Sequence, residues 1–497
     1  TEARLDEAKI IIVAWSRASV ESMWVADEAA VGKKKRNLVP LAIDAVEPAI
    51  GFRQLQTLAF DAWKGDAAAP EYRELVAALR ARISGGSEEA RPSPANSANI
   101  ALASQQSIAI LPFDDLSDAK GQNHFADGLV EDIITDLSRI PQLIVISRTS
   151  TFPFKGRDVR NAEIAEKLRA RFILRGSVRR AGERLRVTAQ LVNAEIDRVI
   201  WSKKYDRDIA NIFDVQDELT EEIVSSLDIE IVSGEHGRHR RGKFSSAESV
   251  EVLYKGMYEY HKYERPAAVA ARAHFEEFIR REPGSVLGYV WLAMVWSFSM
   301  IVGWESPVTA LPEIRKNVAK ALAIDRDDPQ ALVRDAMCNV LEGDLDRAIA
   351  SAERAARILP NLDDAWLVLG WAQMLAGDSK SALDSQQRAM RLCPIMHAVQ
   401  LGQLATAYRN AGLYDESIEA FSECLKRFPT FVYAEVGRAV AYGMKGDMAA
   451  ARNSVAAALK ADPDYTIVRF TNPNLYRDKS VMEAVAKVLR LAGMPEG

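Results

Sequence analysis

The sequence predicts a multidomain protein with a partial, doubly wound α/β segment, an α/β (or α+β) middle domain and an all-α solenoid. Three observations lead to this fold class. Glycine and proline recur with a period of 34 to 35 residues in the last third of the chain, which is typical of two-helix repeats. Strand and helix patterns alternate between residues 107 and 232, and also within the first 83 residues. A chain of 497 residues is also too long for a single hydrophobic core.

Two stretches of linker composition divide the chain. Residues 84–106 are rich in Ser, Gly, Pro, Ala and Asn, and residues 233–243 are basic and contain three glycines, which is typical of connecting segments. The predicted division is a first segment at 1–85, a linker at 86–104, a middle domain at 105–232, a basic linker at 233–246 and a repeat region at 247–495.

The first segment shows the order strand, helix, strand, helix. An apolar run at 10–14 predicts a buried strand, and 37–44 predicts a second strand. Helical patterns at 20–31 and 72–83 follow them. This order is half of what a doubly wound α/β domain requires, and we expect the chain to be a fragment that lacks the other half.

The same segment resembles the second half of bacterial Toll/interleukin-1 receptor (TIR) domains over residues 3 to 83. The points of resemblance are Trp15-Ser16, Ser19, Ser22, Trp24-Val25, Glu28-Ala29, Val39-Pro40, Gly51-Phe52-Arg53 and Trp63.

In TIR domains that cleave NAD, the glutamate of this helix is catalytic, and the resemblance assigns that role to Glu28. A carboxylate beside the ribose would stabilise the positive charge that develops as nicotinamide leaves. Trp24, one helical turn earlier, is the candidate nucleotide contact. NAD would be a substrate, and no cofactor is expected. The alternative is that Glu28 is a solvated surface residue of a scaffolding domain, and we expect this fragment, without its first half, to be inactive.

The middle domain is predicted from alternating patterns. Strands are expected at 107–113, 143–147 and 199–205, with helices at 125–139, 161–169 and 209–231. Residues 171–179 and 184–191 alternate polar and apolar side chains about Ala181-Gly182, which predicts a β-hairpin with one buried face.

Residues 105 to 230 resemble the TolB-like amino-terminal domain, which precedes tetratricopeptide arrays in many bacterial regulatory proteins. The strings "SIAILPFDDLSD" and "FILRGSVRRAGERLRVTAQLVNAEIDRVIWSKKYDRDIANIFDVQDE" carry this resemblance. Five arginines mark the exposed hairpin face, and they form either an anion-binding patch or the solvated face of a half-buried hairpin. They are Arg171, Arg175, Arg179, Arg184 and Arg186.

The repeat period is defined by glycines and prolines at fixed spacing. Each of Gly343, Gly377, Gly412 and Gly446 is followed 17 residues later by a proline. Proline ends a helix because it lacks an N–H group and clashes with the preceding turn. Small residues recur at the positions where two helices of a hairpin would approach closely: Ala348, Ala382, Ser417 and Ala451, then Ala355, Ala389, Cys424 and Ala458.

These units resemble the tetratricopeptide (TPR) consensus. The unit that begins at Asp364 has Trp366, Leu369, Gly370 and Gly377 at consensus positions, together with Ala382, Ala389 and Pro394. Four units match between residues 329 and 463, an irregular pair of units precedes them at 247–328, and a closing helix is expected at 478–492.

The resemblance implies a concave groove lined by the first helix of each hairpin. Either this groove binds an amphipathic helix or peptide of a partner protein, or its apolar residues pack against the closing helix or the middle domain of the same chain. The predicted lining is Met337, Trp371, Met374, Arg409, Val440 and Met444.

Composition restricts the function further. A formal net charge of −5 gives no general attraction to nucleic acids or acidic membranes, and no apolar run approaches the roughly 20 residues that span a bilayer. The three cysteines lack metal-type spacing and suggest a reducing compartment, so we expect a cytoplasmic location and no metal. The sequence therefore predicts a bacterial signalling protein in which a self-associating TIR effector is coupled to a TPR sensor. The alternative is an adaptor without catalytic activity.

Overall fold

A computed structural model gives the structure of the chain. It describes residues 8, 10–16, 19, 22, 25, 29, 38–44, 58–60, 75–76, 106–117, 123–157, 159–182, 184–208, 212–227, 246–471 and 475–497. The chain divides into two compact units, Thr1–Ser104 and Gln105–Gly497. The second unit contains both the predicted middle domain and the predicted repeats.

The described core of the first unit is a parallel sheet. Strands β1 (Ile11–Trp15), β2 (Leu38–Ala42) and β3 (Leu58–Ala59) lie in that order, and both neighbouring pairs are parallel. Strand β2 is almost entirely buried, whereas buried and exposed side chains alternate along β1 although all of its residues are apolar. The Trp15 side chain is fully buried at the end of β1.

The second unit begins with a mixed six-stranded sheet. Its strands run in the order β6-β4-β7-β8-β9, and the short strand β5 pairs with β7. Strand β4 is parallel to β6 and β7, whereas β7, β8 and β9 form an antiparallel meander. The strands are β4 (Gln106–Ile110), β5 (Asp114–Asp115), β6 (Leu143–Val145), β7 (Phe172–Ala181), β8 (Arg184–Asn193) and β9 (Arg198–Asp208).

The predicted hairpin is confirmed as β7 and β8. Along the first half of β8, exposed and buried side chains alternate, as the polar-apolar pattern requires for a strand with one buried face. Gly182 turns the chain with φ of +62°, a conformation that glycine adopts without a steric penalty.

Helices pack against this sheet. They are α1 (Asn123–Leu137), α2 (Arg148–Thr151), α3 (Asn161–Leu168) and α4 (Ile212–Ser226), and a 3-10 turn (Phe152–Phe154) follows α2. Apolar side chains of α1, α4 and the strands form one core, in which Ile108, Leu129 and Leu219 are completely buried.

The C-terminal region is a solenoid of antiparallel helical hairpins. The predicted irregular pair of units folds as two helical hairpins, and the four close matches form four hairpins after them. The hairpins are α5 (Ala247–Tyr260) with α6 (Arg265–Arg281), α7 (Val286–Ile301) with α8 (Pro307–Ile324), α9 (Pro329–Glu342) with α10 (Leu345–Ile358), α11 (Asp363–Ala376) with α12 (Ser379–Leu392), α13 (Ala398–Asn410) with α14 (Tyr414–Arg427) and α15 (Val432–Lys445) with α16 (Met448–Ala461). A short helix α17 (Ile467–Phe470) and the closing helix α18 (Ser480–Ala492) follow.

The repeated glycines have a clear structural role. Gly343, Gly377 and Gly446 end the first helix of their hairpins in the left-handed conformation, with φ of 84°, 94° and 100°. Left-handed backbone at this position favours glycine because it has no Cβ. An aspartate follows each glycine, and its side chain caps the second helix of the hairpin, as short acceptor side chains do at helix starts.

Helix α5 joins the sheet domain to the solenoid. Tyr254 and Met257 of α5 belong to the same core cluster as Leu129 of α1 and Phe275 of α6. A Cβ at Gly128 of α1 would lie 2.5 Å from the Tyr254 ring, so the two helices approach closely only because this residue is glycine. The middle domain and the first hairpin therefore share one hydrophobic core.

Candidate functional site

The two residues predicted to act on NAD, Glu28 and Trp24, lie outside the described residues. Nearby, the turn after β1 is described. The Ser19 hydroxyl donates a hydrogen bond to the Ala14 carbonyl at 2.8 Å and accepts one from the Ser16 N–H at 2.7 Å. Ligands of parallel α/β sheets bind at the carboxyl ends of the strands, and this turn lies at that edge. The role of Glu28 stays a prediction.

The six residues predicted to line the groove lie on the first helices of four consecutive hairpins, but most of them are buried. Exposed fractions are 4% for Met337, 6% for Met374, 3% for Arg409 and 0% for Val440. Trp371 and Met444 are partly buried.

The chain itself covers much of this surface. Leu475 and Tyr476 pack against the cluster that contains Met374 and Trp371, and the Arg477 N–H donates a hydrogen bond to the Leu375 carbonyl at 2.9 Å. Met374 and Trp371 thus pack against a segment of the same chain that precedes the closing helix. Binding of a partner at these residues stays a prediction.

The closing helix α18 covers the last hairpin. Its residues Met482, Val485 and Leu489 share a core with Val440 of α15, and Met444 packs against that core. A Cβ at Gly443 would lie 2.2 Å from the Val488 side chain, so α18 sits directly on α15. This arrangement shields the apolar face that the end of a repeat array would otherwise expose.

The arginine-rich face of the hairpin is already engaged with acceptors of this chain. Arg184 and Arg186 both bind Asp206, at 3.0 and 2.7 Å, and their bonds hold the pKa of that carboxyl below its usual value. Arg171 lies 3.0 Å from Glu195, and Arg179 donates to the Leu116 carbonyl at 3.0 Å.

A cavity of about 210 Å³ lies where the middle domain meets the solenoid. Its walls come from α1, the start of α2, the end of α5, α7 and the first turns of α9, α11 and α13. Arg148, Arg334 and Asn361 line it while being at most 9% exposed. Buried polar groups lower the stability of a fold unless they have partners. The pairing of the charged side chains in this cavity therefore indicates which of them could interact with a ligand.

One wall carries a buried ion pair. Arg148 Nε lies 2.8 Å from Glu131 Oε2, and the guanidinium stacks on the Phe152 ring at 3.3 Å from its centroid. Burial alone would raise the pKa of Glu131, but its hydrogen bond to His261 and the charge of Arg148 lower it. Burial and Arg148 in turn lower the pKa of His261 to about 4, so this imidazole is neutral near pH 7.

The opposite wall carries a second ion pair and an additional carboxylate. Arg334 of α9 pairs with Asp364 at the start of α11. Neighbouring Asp363 also lines the cavity, and burial together with the charge of Asp364 raises its pKa to about 7. Among the residues that the structure describes, Asp363 has no lysine or arginine within ion-pair distance, whereas Asp364 has Arg334.

Aromatic rings form the remaining wall. Tyr263 lies 5.2 Å from the Phe298 ring, 5.9 Å from His397 and 6.0 Å from Tyr260, centroid to centroid. Its φ of 53° is a left-handed conformation, which is uncommon for an aromatic residue. Tyr263 therefore reaches from the turn after α5 to the start of α13.

Hydrogen bonds hold the two sides of the cavity together. The Asn361 amide donates to the carbonyls of Ser138, Ile140 and Leu143 at 3.2, 3.1 and 2.8 Å. The Ser147 N–H donates to the Leu392 carbonyl at 2.7 Å. The middle domain is thereby attached to the loops that precede α11 and α13.

Comparison with protein families matches two regions. Residues 104–222 match the "HilA/YgeH-like transcriptional regulator, second domain", and residues 403–466 match the tetratricopeptide repeat. The C-terminal region is a TPR-like helical solenoid, and the family match lies over its last two hairpins. The middle domain thus matches a model of the HilA-like family. The resemblance of the middle domain to TolB-like domains and that of the first segment to TIR domains remain proposals.

Curated relatives are similar over part of their length. The chain is 35% identical over 237 residues to putative adenylate cyclase 3 of Rhizobium meliloti, covering 46% of this chain and 39% of that protein. It is 22% identical over 173 residues to the transcriptional regulator HilA of Salmonella typhimurium, covering 35% of this chain and 31% of that protein. The chain thus spans well under half the length of these relatives.

Solved structures are similar to the TPR array. YrrB, described as a TPR protein with an unusual peptide-binding site, is 22% identical, with a TM-score of 0.30 over 38% of this chain and 93% of that chain. A thermophilic TPR protein of Thermus thermophilus is 20% identical, with a TM-score of 0.31 over 39% of this chain and 98% of that chain.

Sequence reasoning did not find the cavity, because its walls are far apart in the chain and meet only where the TPR array contacts the middle domain. Asp363 lies in the first turn of α11, where acidic side chains are favoured by the helix dipole and give no indication of a binding site. In the described part of the chain, no cluster of three or more His, Cys, Asp or Glu side chains could hold a metal ion. None of the described helices is long and apolar enough to cross a membrane.

Proposed function

We propose that the chain is a bacterial signalling protein whose TPR array binds a protein partner on its concave face. The observation that carries this proposal is that the apolar lining of the array is covered by a short segment of the same chain, Leu475–Arg477. A partner that presents an apolar helix or strand would replace this segment and use the same surface.

Two of the polar contacts that the described residues make with this segment are weak. Arg477 pairs with Asp346 at 2.6 Å, but these side chains are 52% and 83% exposed, and exposed ion pairs contribute little stability. The Asn410 amide donates to the Tyr476 hydroxyl at a long 3.4 Å. Displacement of the segment would therefore require only modest binding energy from a partner.

The double substitution Tyr476→Ala, Arg477→Ala tests this competition. Partner proteins are first crosslinked to the wild-type chain in cells and identified. Each partner is then purified and titrated against the wild-type chain and the double variant. We expect the double variant to bind at least about fivefold more tightly, because the competing segment is weakened. Arg427→Ala, which removes an exposed ion pair of α14 at 2.7 Å, serves as a control with unchanged affinity.

Hydrogen exchange of the complex locates the partner. Binding at the concave face protects amides of α9 and α11 and exposes those of Leu475–Arg477. Protection confined to the second helices, α10 and α12, or equal affinity of the double variant and wild type, would contradict the proposal.

A second proposal concerns the first unit, which we infer to be the effector. It rests on the TIR resemblance, and the parallel order β1-β2-β3 supports an α/β fold of this kind. In the full-length protein, self-association of the TIR modules would position Glu28 to stabilise the positive charge of the departing nicotinamide ribose.

Nicotinamide release from NAD by the full-length protein measures this activity. We expect Glu28→Ala to lower the rate at least about 100-fold, and Glu74→Ala, in the helix predicted at 72–83, to leave it unchanged. Equal rates in the wild-type and Glu28→Ala proteins would exclude this role of Glu28. A full-length protein that binds its partner but releases no nicotinamide would be the adaptor without catalytic activity.

A further inference from the structure

We propose that the cavity between the middle domain and the TPR array binds a small organic cation, a primary or quaternary ammonium with a short apolar body. This site is separate from the concave surface covered by Leu475–Arg477, and the inference does not depend on the proposed partner or effector.

The balance of charge in the cavity is the first reason. The described lining contains the carboxylates of Glu131, Asp363 and Asp364 but only two guanidinium groups, those of Arg148 and Arg334. The two guanidinium groups pair with Glu131 and Asp364, which leaves Asp363 as the uncompensated carboxylate of this lining. The histidines do not supply the missing charge, because burial lowers the pKa of both His261 and His397.

The ion pairs of the lining leave Asp363 without a counter-ion among the described residues, since Arg148 pairs with Glu131 and Arg334 with Asp364. Burial and the neighbouring Asp364 raise its pKa to about 7. A cation bound next to Asp363 would supply that counter-ion, and partial exclusion of water from the cavity would strengthen the attraction.

The aromatic wall is the second and independent reason. Tyr260, Tyr263 and Phe298 lie within 6.0 Å of one another, centroid to centroid, beside the carboxylates. The phenol of Tyr260 stays neutral, since burial raises its pKa. Neutral aromatic faces near a carboxylate are the usual means by which proteins bind ammonium groups.

The size of the cavity limits the ligand. Its volume of about 210 Å³ exceeds the roughly 150 Å³ of an engineered protein cavity that accommodates benzene. Met294, Ile301 and Leu362 add an apolar part to the lining. A short alkyl chain or a trimethylammonium group fits this space, whereas a nucleotide does not.

Calorimetric titration of the whole chain at about pH 8, where Asp363 is ionised, tests the site. The probes are choline and n-butylammonium, each compared with its uncharged counterpart, 3,3-dimethylbutan-1-ol or n-butanol. We expect both cations to bind, and the alcohols to bind at least about tenfold more weakly. Absence of cation binding up to about 10 mM, or equal binding of the alcohols, would overturn the proposal.

Two substitutions assign the binding to this cavity. Asp363→Asn preserves shape and removes the charge, so cation binding should fall at least about tenfold while the chain without ligand keeps or gains thermal stability. Asp384→Asn, at an exposed position of α12, should change neither property. If Asp363→Asn binds the cations as wild type does, the site lies elsewhere and the inference is wrong.

Tyr263→Leu provides a second variant at the cavity wall. Tyr263 is 38% exposed, so its replacement is tolerated by the fold more readily than a core change. We expect it to weaken choline binding and to leave the weak binding of 3,3-dimethylbutan-1-ol unchanged. An equal effect on both probes would exclude a cation–π contribution from this ring.

Discussion

Replacement of Gly128 by leucine is expected to lower the free energy of unfolding of the second unit by about 3 kcal/mol. A Cβ at this position would lie 2.5 Å from the Tyr254 ring, closer than any normal contact. The ring has no room to move, because its hydroxyl donates a 2.7 Å hydrogen bond to Asp132 and its edge packs on Phe125 at 5.8 Å, centroid to centroid. The clash outweighs the roughly 1 kcal/mol that leucine gains over glycine in a helix.

Urea unfolding of the whole chain, followed by tryptophan fluorescence, measures this loss. Gly284→Leu is the matched control, since a Cβ at Gly284 has no neighbour within 4 Å and should change stability by no more than about 0.5 kcal/mol. If the two variants unfold at the same urea concentration, the close approach of α1 and α5 does not contribute to the stability of the second unit, and the prediction is wrong.

Replacement of Asn361 by aspartate is expected to have an effect of similar size, about 3 kcal/mol. The Asn361 amide is the donor to three backbone carbonyls in and just before β6, and the residue is 3% exposed. An aspartate of the same shape has no side-chain N–H group, so it would place a buried negative charge against three carbonyl oxygens.

The loss of stability in Asn361→Asp is expected to depend on pH, and its direction follows from the pKa of the introduced carboxyl. Burial beside carbonyls raises the pKa of the introduced carboxyl in the folded state, so the folded variant binds a proton more readily than the unfolded one. The loss of stability is therefore largest above that raised pKa and decreases as the pH falls toward about 4. Asn453→Asp, at an exposed position of α16, should show neither the loss nor this pH dependence. A loss for Asn361→Asp that does not change with pH would contradict the mechanism.

The repeat array could be predicted from the sequence because its determinants are local. In three of the last four hairpins, a glycine ends the first helix, an aspartate caps the second and a proline follows it, and each of these signals acts within a few residues. The closing helix was expected at 478–492 and is found at Ser480–Ala492. The β7–β8 hairpin likewise follows from polar-apolar alternation and one turn.

The burial of the groove and the existence of the cavity depend on contacts between distant parts of the chain. The pattern of α11 alone predicts Met374 as a groove residue. It is covered because the chain comes back to this helix, where Leu475 and Tyr476 pack against the cluster that contains Met374. Asp363 and Glu131 lie in different regions of the sequence, and the hydrogen bonds of Asn361 bring their helices together. No local pattern in the sequence contains this information.

The attachment of the middle domain at separate points along the solenoid has a mechanical consequence. A TPR array changes its curvature through small rotations between neighbouring hairpins. The middle domain is fixed to the first hairpin through α5 and to the loops before α11 and α13 through Asn361 and Leu392. It therefore acts as a brace across these hairpins, and a ligand that bends or straightens this stretch of the array must also deform the β-sheet domain or detach it.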